Sequence, residues 1–198
     1  MEQIGIWGIY AFTLIMGVTL TIQIAHVFTQ KSVTALSTTW IVYFSAMFLS
    51  GAIYGTTSQN TPLLINNLML SVTHLILVGA ILRYRGFSTK EWIMAAALMF
   101  LLLCMIGSQH QDRWFIAFAP GGILAIGKQA WTIAAERRVG IVSPWLLGSY
   151  VLANIFWTLY ALAGTEWTLR LISPSNLVAC TVLFGTWLHY RRTTPVTV

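Results

Sequence analysis

The chain has 198 residues, of which 57% are hydrophobic and only 8% are charged, and its mean hydropathy is +0.75. A water-soluble domain of this size needs far less apolar surface, so the composition excludes a soluble fold and predicts a membrane protein. The formal net charge is +6. Because most basic residues lie near the ends of apolar runs, we read them as topology signals and expect no nucleic-acid partner.

Seven apolar runs follow one another along the chain, each close to the roughly 20 residues that a membrane-spanning helix needs. In chain order they cover residues 5–28, 38–55, 62–82, 91–106, 114–134, 144–164 and 169–190. The first run is too long for a cleavable signal, and Glu2 stands where a signal has a basic residue. We therefore predict an all-α membrane protein of seven transmembrane helices, with a short polar tail over 193–198.

The first three runs match the last three at an offset of 106 residues, so that Gln23 aligns with Gln129 and Tyr54 with Tyr160. A single run separates the two triplets, and both triplets must then run in the same direction. We expect two parallel three-helix bundles, related by a pseudo-twofold axis along the membrane normal. The predicted units are the first bundle, the linker helix and the second bundle, at 1–86, 87–112 and 113–192.

The basic residues also predict the orientation of the chain. With the N-terminus outside, the outer segments hold only Arg113 and Arg170, and the inner segments hold eight basic residues. These eight are Lys31, Arg83, Arg85, Lys90, Arg137, Arg138, Arg191 and Arg192. By the positive-inside rule we expect the N-terminus outside and the C-terminus inside, in the cell (inner or plasma) membrane.

Short motifs recur at matching places in the two copies. The first copy carries Gln23-Ile24, 30–37, Tyr54-Gly55, Pro62 and Asn67, and the second carries Gln129, Arg137-Arg138, Ser143-Pro144, 154–157, Tyr160 and 174–176. Over essentially the whole chain this pattern resembles the SWEET and PQ-loop families of small-solute transporters. The resemblance implies a seven-helix carrier that binds its solute between two bundles and works by alternating access. Of the four hinge prolines in those families, only the one at Pro144 is present here.

Polar side chains inside the runs are candidates for a solute site, because such groups are costly in lipid. Asn67 and His74 lie on one stripe of the third helix. Ser173 lies on the equivalent stripe of the seventh, and Asn176 is one residue off that stripe. They predict a pocket near the membrane midplane. The competing interpretation is interhelical hydrogen bonding, worth about 0.6 kcal/mol per contact. His74 is either a neutral pocket residue or a titrating proton relay.

Asn154 and Trp157 share one face of the sixth helix, three residues apart. An indole offers a flat apolar platform for a ring-shaped solute, and a carboxamide can orient hydroxyl groups. The resemblance places a pocket Trp and Asn in this helix as well. Ordinary helix packing is the alternative for Trp157.

A gate and a hinge are also expected from the sequence. Near the inner end, Gln23 and His26 face Gln129 across the pseudo-axis, where side-chain hydrogen bonds would close the path. In the fifth run, a proline followed by glycines predicts a hinge or a static kink. The gate and hinge candidates are Gln23, His26, Gln129, Pro120, Gly121 and Pro144. Lys128 either snorkels to the interface or faces the pathway.

We therefore interpret the chain as a facilitative carrier of a small neutral solute, first of all a sugar, in which a monomer could suffice. No Asp or Glu lies in the middle of a run, which favours movement that is not coupled to protons. No catalytic, cofactor or metal-binding motif is present, so we expect no enzyme and no cofactor.

Three alternatives to this carrier are open. An amino acid or another metabolite could be the solute. A receptor or a lipid-binding scaffold could share the fold without transporting anything. The segment 129–144 is also similar to small membrane domains associated with bacterial lipid A synthesis.

Overall fold

The computed structural model describes residues 2–33, 36–137, 139 and 142–193. Within these residues the regular structure is all helical, and each predicted run corresponds to one helix, the sixth run extending one residue past its helix to Gly164. The seven helices are α1 (Glu2–Gln30), α2 (Thr38–Thr57), α3 (Thr61–Tyr84), α4 (Thr89–Ile106), α5 (Gln111–Glu136), α6 (Pro144–Ala163) and α7 (Trp167–Thr193). The all-α prediction is confirmed. Most of the predicted tail, from residue 194 onward, and Arg138 lie outside the described residues.

The helix boundaries follow from local side-chain chemistry. Ser37 and Asn60 cap α2 and α3, because their side-chain oxygens accept hydrogen bonds from the first free backbone N–H groups. Ser88 opens α4 with a reciprocal capping box to Glu91. These caps satisfy donors that a helix cannot satisfy internally, so the loops between helices can be short.

The two copies also end their first helices alike. Lys31 and Arg137, which are related by the 106-residue offset, both adopt left-handed backbone with φ of 49° and 50°. This conformation ends a helix because it turns the chain away from the helical path. The repeat seen in the sequence is thus also a repeat of backbone conformation.

Six helices form a closed ring, and α4 lies outside it. The order around the ring is α1, α3, α2, α5, α7, α6 and back to α1. In each copy the third helix (α3 or α7) lies between the first two, and the copies meet where α1 packs on α6 and α2 packs on α5. The helix α4 packs mainly on α2 and makes a few contacts with α5.

The chain is a multi-pass integral membrane protein. In the described part, five helices (α1, α3, α4, α6 and α7) are long and apolar enough to cross a bilayer. Their outer faces carry exposed apolar side chains, such as Trp7, Ile93 and Trp145, as lipid contact requires. The helix α2 is less apolar than these five. Most of its surface is buried inside the protein, and a buried helix surface can contain Ser and Thr.

The ring has two ends with different chemistry. One end, here called the Gln end, holds Gln23, Gln129, Ser37 and Ser143. The other, here called the Tyr end, holds Tyr54, Tyr160, Asn60 and Glu166. The helices α1 and α5 both run from the Tyr end to the Gln end, so the two copies have the same direction.

Candidate functional site

A cavity of about 80 Å³ lies inside the ring, between the two ends. Its walls come from all six ring helices, and no charged side chain of the described residues lines it. The polar lining consists of Asn66, Asn67, Tyr150, Asn154, Ser173, Asn176 and Cys180. The aromatic lining consists of Phe44, Phe48, Phe115 and Trp157, together with Tyr150. The cavity has room for several water molecules or a small uncharged organic group.

Asn67 on α3 packs against Gly51 of α2, which has no side chain. A Cβ at Gly51 would come within 2.5 Å of Asn67 Oδ1, so the glycine makes the space that the carboxamide occupies. Asn67 Nδ2 donates to the carbonyl of Leu63 at 2.8 Å, which fixes the amide at the cavity wall. Gly51 is the repeat partner of Trp157. At this pair of positions, one copy therefore supplies an indole and the other makes room for an amide.

Asn154 and Trp157 both lie on the cavity wall, as the sequence argument placed them. Trp157 is 9% exposed, and its ring packs edge-on against Tyr160 with centroids 5.8 Å apart. Asn154 Nδ2 donates to the carbonyl of Tyr150 at 2.8 Å and lies 3.6 Å from Cys180 Sγ. This packing holds the indole and the carboxamide in fixed positions at the wall.

Asn176 carries the least satisfied polar atom at the cavity. Its Oδ1 is buried and has no hydrogen-bond partner among the described residues. Leaving such an acceptor unpaired costs about 1–3 kcal/mol, a cost that a donor group on a bound solute would offset. Ser173, three residues before Asn176 on α7, is also buried and lines the same cavity.

Asn66 also lines the cavity and was missed by the sequence argument. Its Oδ1 accepts a hydrogen bond from Thr13 of α1 at 2.9 Å, and its side chain is buried. The available signal was its position directly before Asn67 in an otherwise apolar helix.

His74 lies behind the cavity wall instead of lining the cavity. It is fully buried, with Nδ1 2.8 Å from the carbonyl of Leu70 and Nε2 3.0 Å from the hydroxyl of Tyr150. Both ring nitrogens are therefore engaged by the protein. The structure brings Asn67, Asn154, Trp157, Ser173 and Asn176 together at one cavity, with His74 one layer behind.

Two equivalent hydrogen bonds close the Gln end. Gln23 Oε1 accepts from the backbone N–H of Ser143 at 2.9 Å, and Gln129 Oε1 accepts from the backbone N–H of Ser37 at 2.8 Å. Both glutamines are fully buried. Each reaches from the first helix of its own copy to the cap of the second helix in the other copy. The sequence argument paired the glutamines with each other, whereas in the structure each binds backbone across the junction.

Two equivalent contacts also close the Tyr end. The Tyr54 hydroxyl donates to Glu166 Oε2 at 2.7 Å, and Asn60 Nδ2 donates to the Tyr160 hydroxyl at 3.2 Å. Tyr54 and Tyr160 are repeat partners, and so are Asn60 and Glu166, at the same offset of 106 residues. These four residues were not predicted as a gate from the sequence, although all four show the repeat spacing.

The remaining gate and hinge candidates have other positions. His26 is exposed and is not brought to the glutamine contacts. The helix α5 continues through Pro120, and Gly121 forms a notch: a Cβ there would lie 2.0 Å from the hydroxyl of Tyr43 on α2. Pro144 is the first residue of α6, directly after Ser143. Lys128 is exposed on α5 and does not line the cavity.

Comparison with known proteins identifies the architecture. No protein-family model matches the sequence, and the comparison with curated proteins gave no match. A solved structure of a eukaryotic SWEET transporter, at 3.7 Å resolution, superposes with a TM-score of 0.58 at 13% sequence identity. The match covers 95% of this chain and 99% of that chain. The chain has the SWEET fold.

The SWEET fold accounts for 95% of the chain. The resemblance expected from the sequence motifs is thereby confirmed at the level of the fold. At 13% identity the match establishes the architecture. The solute must be argued from the side chains at the cavity.

Proposed function

We propose that this protein is a facilitative carrier of a small neutral solute, and that the solute is a polyhydroxyl compound such as a sugar. The observation that carries the proposal is a cavity without lining charges, closed at both ends by hydrogen bonds that join the two copies. In the mechanism that we propose, the contacts at the two ends break alternately, while the solute stays between them.

The lining favours a neutral solute with both hydrogen-bond donors and acceptors. A charged solute would lose its hydration without meeting an opposite charge, which is costly in a buried site. Four asparagines and Ser173 can bind hydroxyl groups, and the unpaired Oδ1 of Asn176 needs a donor. The indole of Trp157 offers an apolar face on which a sugar ring can lie.

The energetics favour uncoupled movement. Interhelical hydrogen bonds in membrane proteins contribute about 0.6 kcal/mol on average, so opening either end costs about 1 kcal/mol for its two bonds. Water replaces these bonds when the end opens. Thermal motion can supply this amount, and no charged side chain of the described residues lines the cavity to bind a coupling ion. This argument supports the facilitative mechanism.

The orientation that we propose follows from the basic residues. The Gln end lies beside Arg85 and Arg191, and the Tyr end holds Glu166 and Arg170. By the positive-inside rule, the Gln end faces the cytoplasm, and all seven helices cross the membrane with the N-terminus outside. Each helix has at least 18 residues, so even α2, at 20 residues, can cross about 30 Å of hydrocarbon.

Uptake into proteoliposomes tests the carrier function directly. We expect radiolabelled sugar to equilibrate without a proton or ion gradient, and an excess of unlabelled sugar inside to accelerate its entry. Trp157→Ala should raise KM about tenfold, in line with the loss of one ring contact. Trp131→Ala is the matched control, because that indole is 67% exposed on α5 and does not line the cavity.

Binding without uptake would favour the receptor function over the carrier. A thermal-shift panel of sugars, amino acids and nucleosides measures binding independently, since a ligand at 100 times its Kd adds about 2.7 kcal/mol of stability. If no member of the panel shifts the native protein and none enters the vesicles, the neutral-solute carrier is wrong. Lipid that copurifies with the protein would then favour the scaffold.

A further inference from the structure

Four residues separate the cavity from the Gln end. Phe44, Ile126, Tyr150 and Cys180 line the cavity on one side and a second void of about 10 Å³ on the other. The other walls of this void include Trp40 and Leu147, which lie in the first turn of α2 and of α6. These helices begin at the Gln end. We call the four residues the floor.

The floor contains a repeat pair whose members differ by one hydroxyl group. Phe44 and Tyr150 are offset by 106 residues and pack edge-on, with ring centroids 6.2 Å apart and planes at 85°. Their rings face each other across the junction of the two copies. A solute that moves from the cavity to the Gln end must pass them, and breaking the glutamine contacts alone would not clear the path.

Only the Tyr150 side of this pair has a hydrogen bond across the junction. A carbonyl oxygen can only accept, so His74 Nδ1, 2.8 Å from the Leu70 carbonyl, carries the proton. The described structure shows no carboxylate in contact with the fully buried ring, so the neutral form is favoured. His74 Nε2 is then an acceptor, and the Tyr150 hydroxyl donates to it at 3.0 Å.

The bond is specific to one copy. The repeat partner of His74 is Cys180, and that of Tyr150 is Phe44, so the equivalent contact has no hydroxyl donor. His74 is itself held between Phe44 and Phe48, with ring centroids at 6.0 and 5.0 Å. It belongs to α3, in the copy opposite α6.

We infer that the floor is an aromatic gate on the Gln side of the cavity, and that His74 is the positioning residue that holds Tyr150 in the closed place. The inference rests on the proposed carrier function. When the Gln end opens, α6 moves away from α3. Two hydrogen bonds between the copies then break: that of the Tyr150 hydroxyl to His74, and that of the Ser143 N–H to Gln23. The Phe44 side has no such bond, so the hydrogen bond that holds the two rings in the closed place lies on the Tyr150 side.

Labelling of Cys180 reports whether this gate is open. Cys180 is part of the floor and is 5% exposed, and Cys104 on α4 is the other cysteine of the chain. In a Cys104→Ser background, a membrane-impermeant methanethiosulfonate is applied to sealed vesicles, separately from the Gln side and from the Tyr side. Labelling requires no transported solute, so it tests the gate even if the proposed substrate class is wrong.

Tyr150→Phe is the smallest test of the gate. Phe44 shows that a phenyl ring packs at the equivalent place, and the variant loses only the hydrogen bond to His74. We expect Cys180 to react about threefold faster from the Gln side, because the loss of one interhelical hydrogen bond, about 0.6 kcal/mol, raises the open population by about that factor. From the Tyr side we expect the native rate. Tyr10→Phe is the control, because the described structure shows no hydrogen bond from that half-buried hydroxyl. An unchanged rate, or an equal rise from both sides, overturns the inference.

A pair of variants at His74 separates positioning from packing. A glutamine amide reaches the place of Nε2 and can accept from Tyr150, whereas an asparagine amide ends near Nδ1. We expect His74→Gln to label at close to the native rate and His74→Asn to label as fast as Tyr150→Phe. If both variants label equally fast, His74 only fills space and the positioning role is wrong. If Tyr150→Phe does not fold, the comparison of His74→Gln with His74→Asn still tests whether the hydrogen bond to Tyr150 holds the gate closed.

Discussion

Gln129→Met tests whether the contacts at the Gln end hold that end closed. Methionine has nearly the length and volume of glutamine, so the change removes the acceptor and keeps the packing. Gln129 is fully buried, and its Oε1 accepts from the Ser37 N–H at 2.8 Å, so the variant leaves a helix-capping donor unpaired. An unpaired buried donor costs about 1–3 kcal/mol in the closed form and nothing once water enters. A shift of about 1–2 kcal/mol raises the open population about 5- to 30-fold.

Hydrogen exchange at the beginning of α2 measures this shift. We expect the amide of Ser37 to exchange about 5- to 30-fold faster in Gln129→Met, because exchange follows the open population. Gln30→Met is the control, since Gln30 is exposed at the end of α1. Native exchange at Ser37 in Gln129→Met would refute the reasoning, since the bond would then contribute nothing to closure.

Three further variants test the cavity, the α2–α5 contact and the Tyr end. In Gly51→Ala the new Cβ would lie 2.5 Å from Asn67 Oδ1, so we expect solute affinity to fall about tenfold in a thermal-shift titration, with the fold retained. Gly121→Ala places a methyl group against the Tyr43 hydroxyl, and thermal unfolding should show a loss of about 1–3 kcal/mol; native stability would mean that the notch is not tight. Glu166→Gln replaces a charged acceptor with a neutral one of about half the strength, so Cys180 at the cavity wall should label faster from the Tyr side only; an unchanged rate would mean that the Tyr54 contact does not hold this end.

The fold could be predicted from the sequence because a bilayer imposes a simple pattern. Apolar runs of about 20 residues fix the number and order of the helices. The turn that ends at Ser37 and the proline at Pro62 then mark where α2 and α3 begin. The 106-residue offset added the pairing of the two copies. Each of these signals is local or periodic, so no knowledge of contacts was needed.

The site could be predicted only in part, because it depends on contacts between helices. Helical periodicity placed Asn67 and Ser173 on the faces that line the cavity, but periodicity cannot show how deep a residue lies. His74 is one layer behind the cavity because α6 presents Tyr150 to it, and that contact joins residues 76 positions apart. The four residues of the Tyr end were missed for a related reason: tyrosines near helix ends also fit an aromatic belt.

The difference between Gly51 and Trp157 shows what joining two repeats in one chain makes possible. Two identical triplets that assemble as a homodimer must place the same residue on both sides of the axis. At this level they would face each other with two indoles, which would fill the cavity, or with two glycines, which would leave a smooth wall. One continuous chain can carry one of each. Two different copies in one chain therefore give the cavity two unlike walls, which can contact the two sides of a solute without twofold symmetry differently.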